Sequence, residues 1–246
     1  MQQAKPKTAI ITGASKGIGK ATAILLGSNQ INVIVNYKQD AAGAQDAVET
    51  IERQGGQAIA VQADVSVPAG VSQLFDKAVD QFGQVDILIN NAGVLLTKPF
   101  AVMTERDFED VFAVNVKGVF FAMKEAATRL ADNGTVINLS STTTRAVFPN
   151  YGLYSASKAA VEQATRVFAK EMGGRGISVN AVMPGPTNTQ LMLDGKTDAD
   201  RKRLAALSAF NRLGEPEDIA RVILFLVSDE AAWVSAQVIG VNGGFI

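Results

Sequence analysis

"TAIITGASKGIGKATAILLGS", residues 8–28, sets a short apolar run against a glycine-spaced turn and then a long apolar stretch of helix-forming residues. Glycines fall at 13, 17 and 19. A strand that ends in such a turn and runs straight into a helix lets another backbone or a ligand approach closely. It also aims the helix N-terminal N–H groups at an anion such as a pyrophosphate. Two other motifs overlap the turn. "GASKG" (13–17) matches the GxSxG nucleophile elbow with Ser15 as nucleophile, but the chain has no histidine to activate a serine. "GIGKAT" resembles a phosphate-binding loop, but Ala14 stands where the first glycine belongs and Ala21 where Ser or Thr must follow the lysine. A dinucleotide-type turn remains.

The same strand-then-helix rhythm continues to the end of the chain. "INVIVNY" (31–37) precedes a helix near 41–54 that Gly55-Gly56 terminates. "AIAVQADV" (58–65) leads to a helix in which Val71, Leu74, Phe75, Ala78, Val79 and Phe82 keep the spacing of one buried face. "VDILINNAG" (85–93) follows. Thr104 with Asp107 three residues on marks a capping box opening a long helix to about Leu130. "GTVINLSS" (134–141), a helix from about Tyr151 to Met172, "ISVNAVMPG" (177–185), a Pro-initiated helix at 216–228 and "QVIGVNGG" (237–244) complete the series. The strands are near-continuous apolar runs, as in a parallel sheet covered on both faces. The expected fold is α/β: a single Rossmann-like, doubly wound parallel sheet of six to seven strands over residues 1–246. Only 189–211 breaks the rhythm, an excursion after a strand end where lids sit.

Composition narrows the function. Of 246 residues none is Cys and none is His, which removes thiolate and imidazole chemistry. Acid and base duty then falls to carboxylates, Lys or Tyr. A net charge of −1 gives no field for nucleic acid or an anionic membrane. No apolar run approaches the roughly 20 residues of a membrane span, and the opening "MQQAKPKTAI" has no apolar signal core. A cytoplasmic protein without a metal site is expected.

At the end of the second strand, where NAD sites carry an acid for the ribose 2′-hydroxyl, the chain reads Asn36-Tyr37-Lys38. The nearest acid, Asp40, falls past the strand end. A base in place of the acid, with Lys16 close by in the turn, favours NADP(H) over NAD(H), with Ser15 and Asn36 adding neutral hydrogen bonds. The alternative is that both lysines are solvated surface charges.

"YSASK" (154–158) puts Tyr154 and Lys158 on one helix face. Alone, such a pair is more often structural. Together with "TGASKGIG" (12–19), "NNAG" (90–93), Asn115, Ser141, "PGPTNT" (184–189), "RLGEPEDIA" (212–220) and "VNGG" (241–244), it makes the chain resemble the short-chain dehydrogenase/reductase family over nearly its whole length. The resemblance implies Tyr154 as acid/base, Ser141 as polariser of the substrate carbonyl, Lys158 as modulator and Asn115 as holder of a relay water. It implies a cofactor surface of Gly13, Ser15, Lys16, Gly17, Ile18 and Gly19, then Asn36, Tyr37 and Lys38. Asp64 and Val65 would lie at the adenine, Asn91, Ala92 and Gly93 near its ribose. Pro184, Gly185, Thr187 and Thr189 would lie at the nicotinamide amide, with Thr187 standing where the family usually has Val or Ile. Tyr154 and Lys158 belong to both sets.

The implied partner is a small carbonyl or alcohol substrate. The stretch after Ser141, with Leu95, Leu96 and Leu191-Met192-Leu193, is mostly apolar and suits a medium-sized hydrophobic ketone or aldehyde. The lid apolars could equally pack the lid down. A 3-oxoacyl-[acyl-carrier-protein] reductase is the near alternative: Arg175 matches one carrier-binding position, but Asp132 occupies the other, with Arg129 and Lys124 as substitutes. A catalytically inactive nucleotide-binding scaffold is the alternative of a different class. The resemblance also implies a homotetramer, with Val161, Phe168 and Ala169 on helix faces that serve either an interface or the core.

Overall fold

The computed structural model describes residues 5–246. Seven strands form one parallel sheet: β1 Thr8–Ile11, β2 Asn32–Tyr37, β3 Ala58–Gln62, β4 Val85–Asn90, β5 Leu130–Leu139, β6 Ser178–Pro184 and β7 Val238–Val241. Their order is β3-β2-β1-β4-β5-β6-β7. Ile10 is flanked by Ile34 on one side and Leu88 on the other. The order reverses between β1 and β4, and that reversal opens a crevice at the strand C-terminal ends.

The two-faced burial of the strands explains their unbroken hydrophobicity. Ala9, Ile11, Val33, Val35, Ile87 and Ile89 face the cluster under α1 (Gly17–Ser28), α2 (Ala41–Arg53) and a C-terminal helix over Pro216–Leu226. Their neighbours Ile10, Ile34, Leu88, Val136 and Val179 face the opposite cluster, under α3 (Pro68–Phe82) and later helices. Successive strand residues point to opposite faces, so a sheet covered twice must be apolar at both parities. In α3, Val71, Leu74, Phe75 and Ala78 are buried as their spacing predicts, but Val79 is 41% exposed. The buried stripe is one residue narrower than the sequence pattern.

The expected long helix is interrupted. Thr104 and Asp107 do form the capping box of α4 (Glu105–Phe112), but a π-helical segment, Ala113–Gly118, separates it from α5 (Val119–Arg129). The chain then enters β5 at Leu130, where the helix was expected to end. Single π turns recur at functional sites, and this one carries Asn115. α6 (Gly152–Met172) runs without a break. Its Val161, Phe168 and Ala169 are buried within this chain's own core. The excursion after β6 folds into two short helices, α7 (Gln190–Leu193) and α8 (Asp198–Ala205), before α9 (Pro216–Leu226). Among the described residues no helix is long and apolar enough to cross a membrane.

Candidate active site

The glycine turn, Asn36 to Lys38, Asp64, Asn91 to Gly93, Ser141 and Pro184 to Thr189 sit at or just past strand C-termini, whereas Asn115 lies in the π-helical segment and Tyr154 and Lys158 in α6. The glycine turn joins β1 to α1. Gly13 takes φ +63°, and a Cβ at Gly19 would stand 2.5 Å from the Gly13 carbonyl oxygen and 2.4 Å from Asn91 Nδ2, so the turn closes only with glycine there. α1 begins with no side-chain cap and no acid in its first turn. Its N–H groups and the positive end of its dipole therefore face the crevice unanswered, which fits the pyrophosphate of a dinucleotide.

Several residues expected on the cofactor surface hold that turn in place. Asn36 is buried: its Oδ1 accepts the Gly13 N–H at 3.0 Å and its Nδ2 donates to the Ala63 carbonyl at 3.0 Å. Asn91 donates through Nδ2 to the Thr12 and Gly13 carbonyls, both at 2.9 Å. Thr12 Oγ1 in turn accepts the N–H groups of Asn91 and Ala92 at 3.0 Å. Thr12 opens the motif but was not singled out from the sequence; its hydroxyl became legible only when β1 and β4 were neighbours.

The lysines also find protein partners. Lys16 Nζ donates to Gln190 Oε1 at 3.0 Å, linking the glycine turn to the lid. Lys38 Nζ lies 2.7 Å from Asp64 Oδ2. Burial raises the Asp64 carboxyl, but Lys38 and Ser66 outweigh it and hold the group below the usual carboxylate range. Asp40, past the strand end as expected, caps α2 by accepting the Gly43 N–H. Ile18, Tyr37 and Val65 are partly buried and pack against the core clusters.

The reacting end lies where β4, β5 and α6 meet. Asn115 uses its whole side chain: Oδ1 accepts the Val94 N–H at 2.8 Å, while Nδ2 donates to the Val94 carbonyl and to Ser157 Oγ, both at 3.0 Å. Ser157 is the buried link between Asn115 and α6. Lys158 is 4% exposed and donates to the Leu139 carbonyl at 2.7 Å. Burial pushes its ammonium down from 10.5 to about 8. A Cβ on Gly93 would crowd both Asn115 Oδ1 and Lys158 Nζ, at 3.3 and 3.4 Å. Lys158 Nζ is 6.0 Å from the Tyr154 ring centre. Burial raises the Tyr154 phenol above its ordinary 10, offset in part by the Ser141 hydroxyl.

Ser141 Oγ accepts from the Thr143 N–H at 3.3 Å and from Thr143 Oγ1 at 3.1 Å. The same hydroxyl is the hydrogen-bond partner of the Tyr154 phenol. Beside Tyr154 runs a chain of rings: Tyr151 edge-on at 6.5 Å, Phe148 at 5.7 Å from Tyr151, and Phe245 stacked on Phe148 at 6.1 Å. Leu95, Leu96, Met192 and Leu193 are partly buried, and Leu191 is 48% exposed. After β6, Thr187 Oγ1 donates to the Gly185 carbonyl at 2.9 Å, and Thr189 caps α7 beside Gly17.

A family model described as enoyl-(acyl carrier protein) reductase matches residues 13–246. A short-chain type dehydrogenase/reductase of Picea abies is 40% identical, covering 97% of this chain and 92% of its own. The chain belongs to the short-chain dehydrogenase/reductase family. Another member, the NADPH-dependent aldehyde reductase-like protein, chloroplastic, of Arabidopsis thaliana, is 42% identical over 98% of this chain and 94% of its own. Among solved members, the landomycin C-6 ketoreductase LanV with bound NADP and rabelomycin superposes with a TM-score of 0.89 at 38% identity, covering 97% of this chain and 96% of that one. This short-chain dehydrogenase/reductase is therefore an oxidoreductase of carbonyl and CH–OH groups whose relatives use NADP(H).

Proposed function

We propose that the protein reduces a hydrophobic ketone or aldehyde with NADPH, Tyr154 serving as the proton donor. The observation that carries this reading is the convergence of Tyr154, Ser141 and buried Lys158 at the strand ends, opposite the uncapped start of α1. When bound, the cofactor supplies the hydride; the chain's own groups manage charge and protons. Ser141 keeps its proton and hydrogen-bonds the carbonyl oxygen through its hydroxyl as charge builds there. Tyr154, kept protonated by burial, gives its proton to that oxygen, so the alcohol leaves neutral. Lys158, a cation below about 8, offsets the phenolate left behind. Asn115 fixes the loop at Val94 against α6 and thereby the floor under Lys158.

NADPH is preferred because Lys38, not an acid, follows the end of the second strand. Lys38 is 58% exposed and its pairing with Asp64 is a surface one, so it is available to a 2′-phosphate. The aromatic run Tyr154–Tyr151–Phe148–Phe245 favours a substrate with a flat apolar group beside its carbonyl. Carrier-protein recognition is disfavoured. Arg175 pairs with Asp132 at 2.7 Å and donates to the Ala127 carbonyl at 2.9 Å, capping α5. Arg129 is bound to Asp76 and Glu125. The homotetramer is supported by Phe108 and Phe120, exposed at 46% and 49% on α4 and α5; sedimentation tests it.

The test is NADPH oxidation against aryl and alkyl ketones, aldehydes, a 3-oxoacyl thioester and sugars. Fastest turnover of an aryl ketone is expected. Tyr154→Phe should lower kcat by about 10²- to 10⁴-fold with NADPH affinity unchanged. Substantial residual turnover would refute the role of Tyr154.

A further inference from the structure

The geometry points to Glu162 as the positioning residue for Ser141. This rests on the reading of Ser141 as donor to the carbonyl oxygen. Glu162 follows Tyr154 by eight residues and Lys158 by four, so all three project from one face of α6. In the fold Glu162 is 7% exposed. Its Oε1 accepts from Ser140 Oγ at 2.5 Å and from Thr144 Oγ1 at 2.7 Å. Those two residues bracket the loop that carries Ser141. Ser140 is further tied to β6 through its N–H and the Val182 carbonyl at 2.7 Å. Glu162 Oε2 faces Arg166 Nη2 at 3.8 Å.

One carboxylate oxygen thus joins the helix bearing Tyr154 and Lys158 to the loop bearing Ser141. A buried carboxylate is costly unless it is hydrogen-bonded, and an apolar side chain of similar size would fill the space at less cost. What an apolar residue would not do is hold both ends of the Ser141 loop at a fixed distance from Tyr154. Proton donation and carbonyl polarisation must meet at the same oxygen, and misplacement by about 1 Å can cost about a hundredfold in rate.

The decisive experiment is a double-mutant cycle on the full chain, using the carbonyl compound turned over fastest in the panel above. Kinetics and NADPH affinity are measured for Glu162→Ala and Glu162→Gln, each alone and combined with Ser141→Ala. Glu162→Ala should lower kcat by about ten- to a hundredfold, with KM and NADPH affinity changed less than about threefold. Glu162→Gln keeps an oxygen for both hydroxyls and should recover most of the rate. In the Ser141→Ala background, Glu162→Ala should cost less than about twofold, because the group it positions is gone. Equal losses in both backgrounds, or a Gln variant as poor as Ala, would overturn the proposal. If Glu162→Ala does not fold, Ser140→Ala/Thr144→Val removes the same contacts from the loop side and is read identically. A Ser141→Ala enzyme with undiminished kcat, or no turnover of any carbonyl compound, would instead defeat the functional reading beneath it and this inference with it.

Discussion

Replacing Lys158 with Met should make the protein more stable and inactive in one step. Lys158 is buried, its one hydrogen-bond acceptor is the Leu139 carbonyl, and burial lowers its ammonium from 10.5 to about 8. The unfolded chain holds that proton to about 10.5, the folded chain only to about 8. Between those values the unfolded state binds more protons, so stability rises with pH; below about 8 the folded state carries the full cost of a buried cation. At about 1.4 kcal/mol per pH unit, that cost is ~3 kcal/mol at neutral pH. Losing the bond to Leu139 returns about 1 kcal/mol. Lys158→Met, similar in length and apolar, should therefore gain ~2 kcal/mol at pH 7, which at about 2–4 °C per kcal/mol raises Tm by about 4–8 °C. Urea unfolding at pH 7.5 and 9.5 gives the sharper readout. The unmodified protein should gain ~2 kcal/mol across that interval, and the variant should stay flat. A variant that is less stable at pH 7, or that keeps the same pH slope, would refute the account of Lys158 as a strained buried cation.

Two further outcomes test the cofactor surface. Gly19→Ala should abolish NADPH binding, measured by fluorescence titration, because its Cβ would strike the Gly13 carbonyl and Asn91 amide that shape the turn; binding within threefold of normal would contradict this. Lys38→Asp should reverse the preference between NADPH and NADH in binding, because it adds a carboxylate beside Asp64 where a 2′-phosphate would sit; equal affinities in the unmodified protein would remove Lys38 from recognition.

The sheet was legible because its signal is local. Most strands are short apolar runs, and a cap such as Thr104 with Asp107 can be read within four residues. The grouping of Asn115, Ser141, Tyr154 and Lys158 was legible only through their family spacing, since they lie on separate elements. What sequence reading missed was the choice among partners. Asn36, Asn91, Lys16 and Lys38 are all polar groups near a crevice, and spacing cannot tell a side chain aimed at a ligand from one spent on a carbonyl 27 residues away, as Asn36 is on Ala63. Likewise Arg175 matched a carrier-binding position until Asp132 and the end of α5 claimed it. The π turn at Asn115 escaped because the apolar rhythm of a helix carries no mark for one extra residue.

The placement of the crevice has a consequence for folding. Its walls come from the ends of β1 through β6, so groups between Gly13 and Thr189 meet only after strands distant in sequence have paired. Closing such long loops makes assembly slow relative to helical proteins. Dinucleotide affinity is thus a gauge of the whole domain's integrity: a cofactor at a hundred times its Kd that binds only the native chain would add about 2.7 kcal/mol to its stability. Damage at either edge of the sheet should register first as a weakened grip on the cofactor.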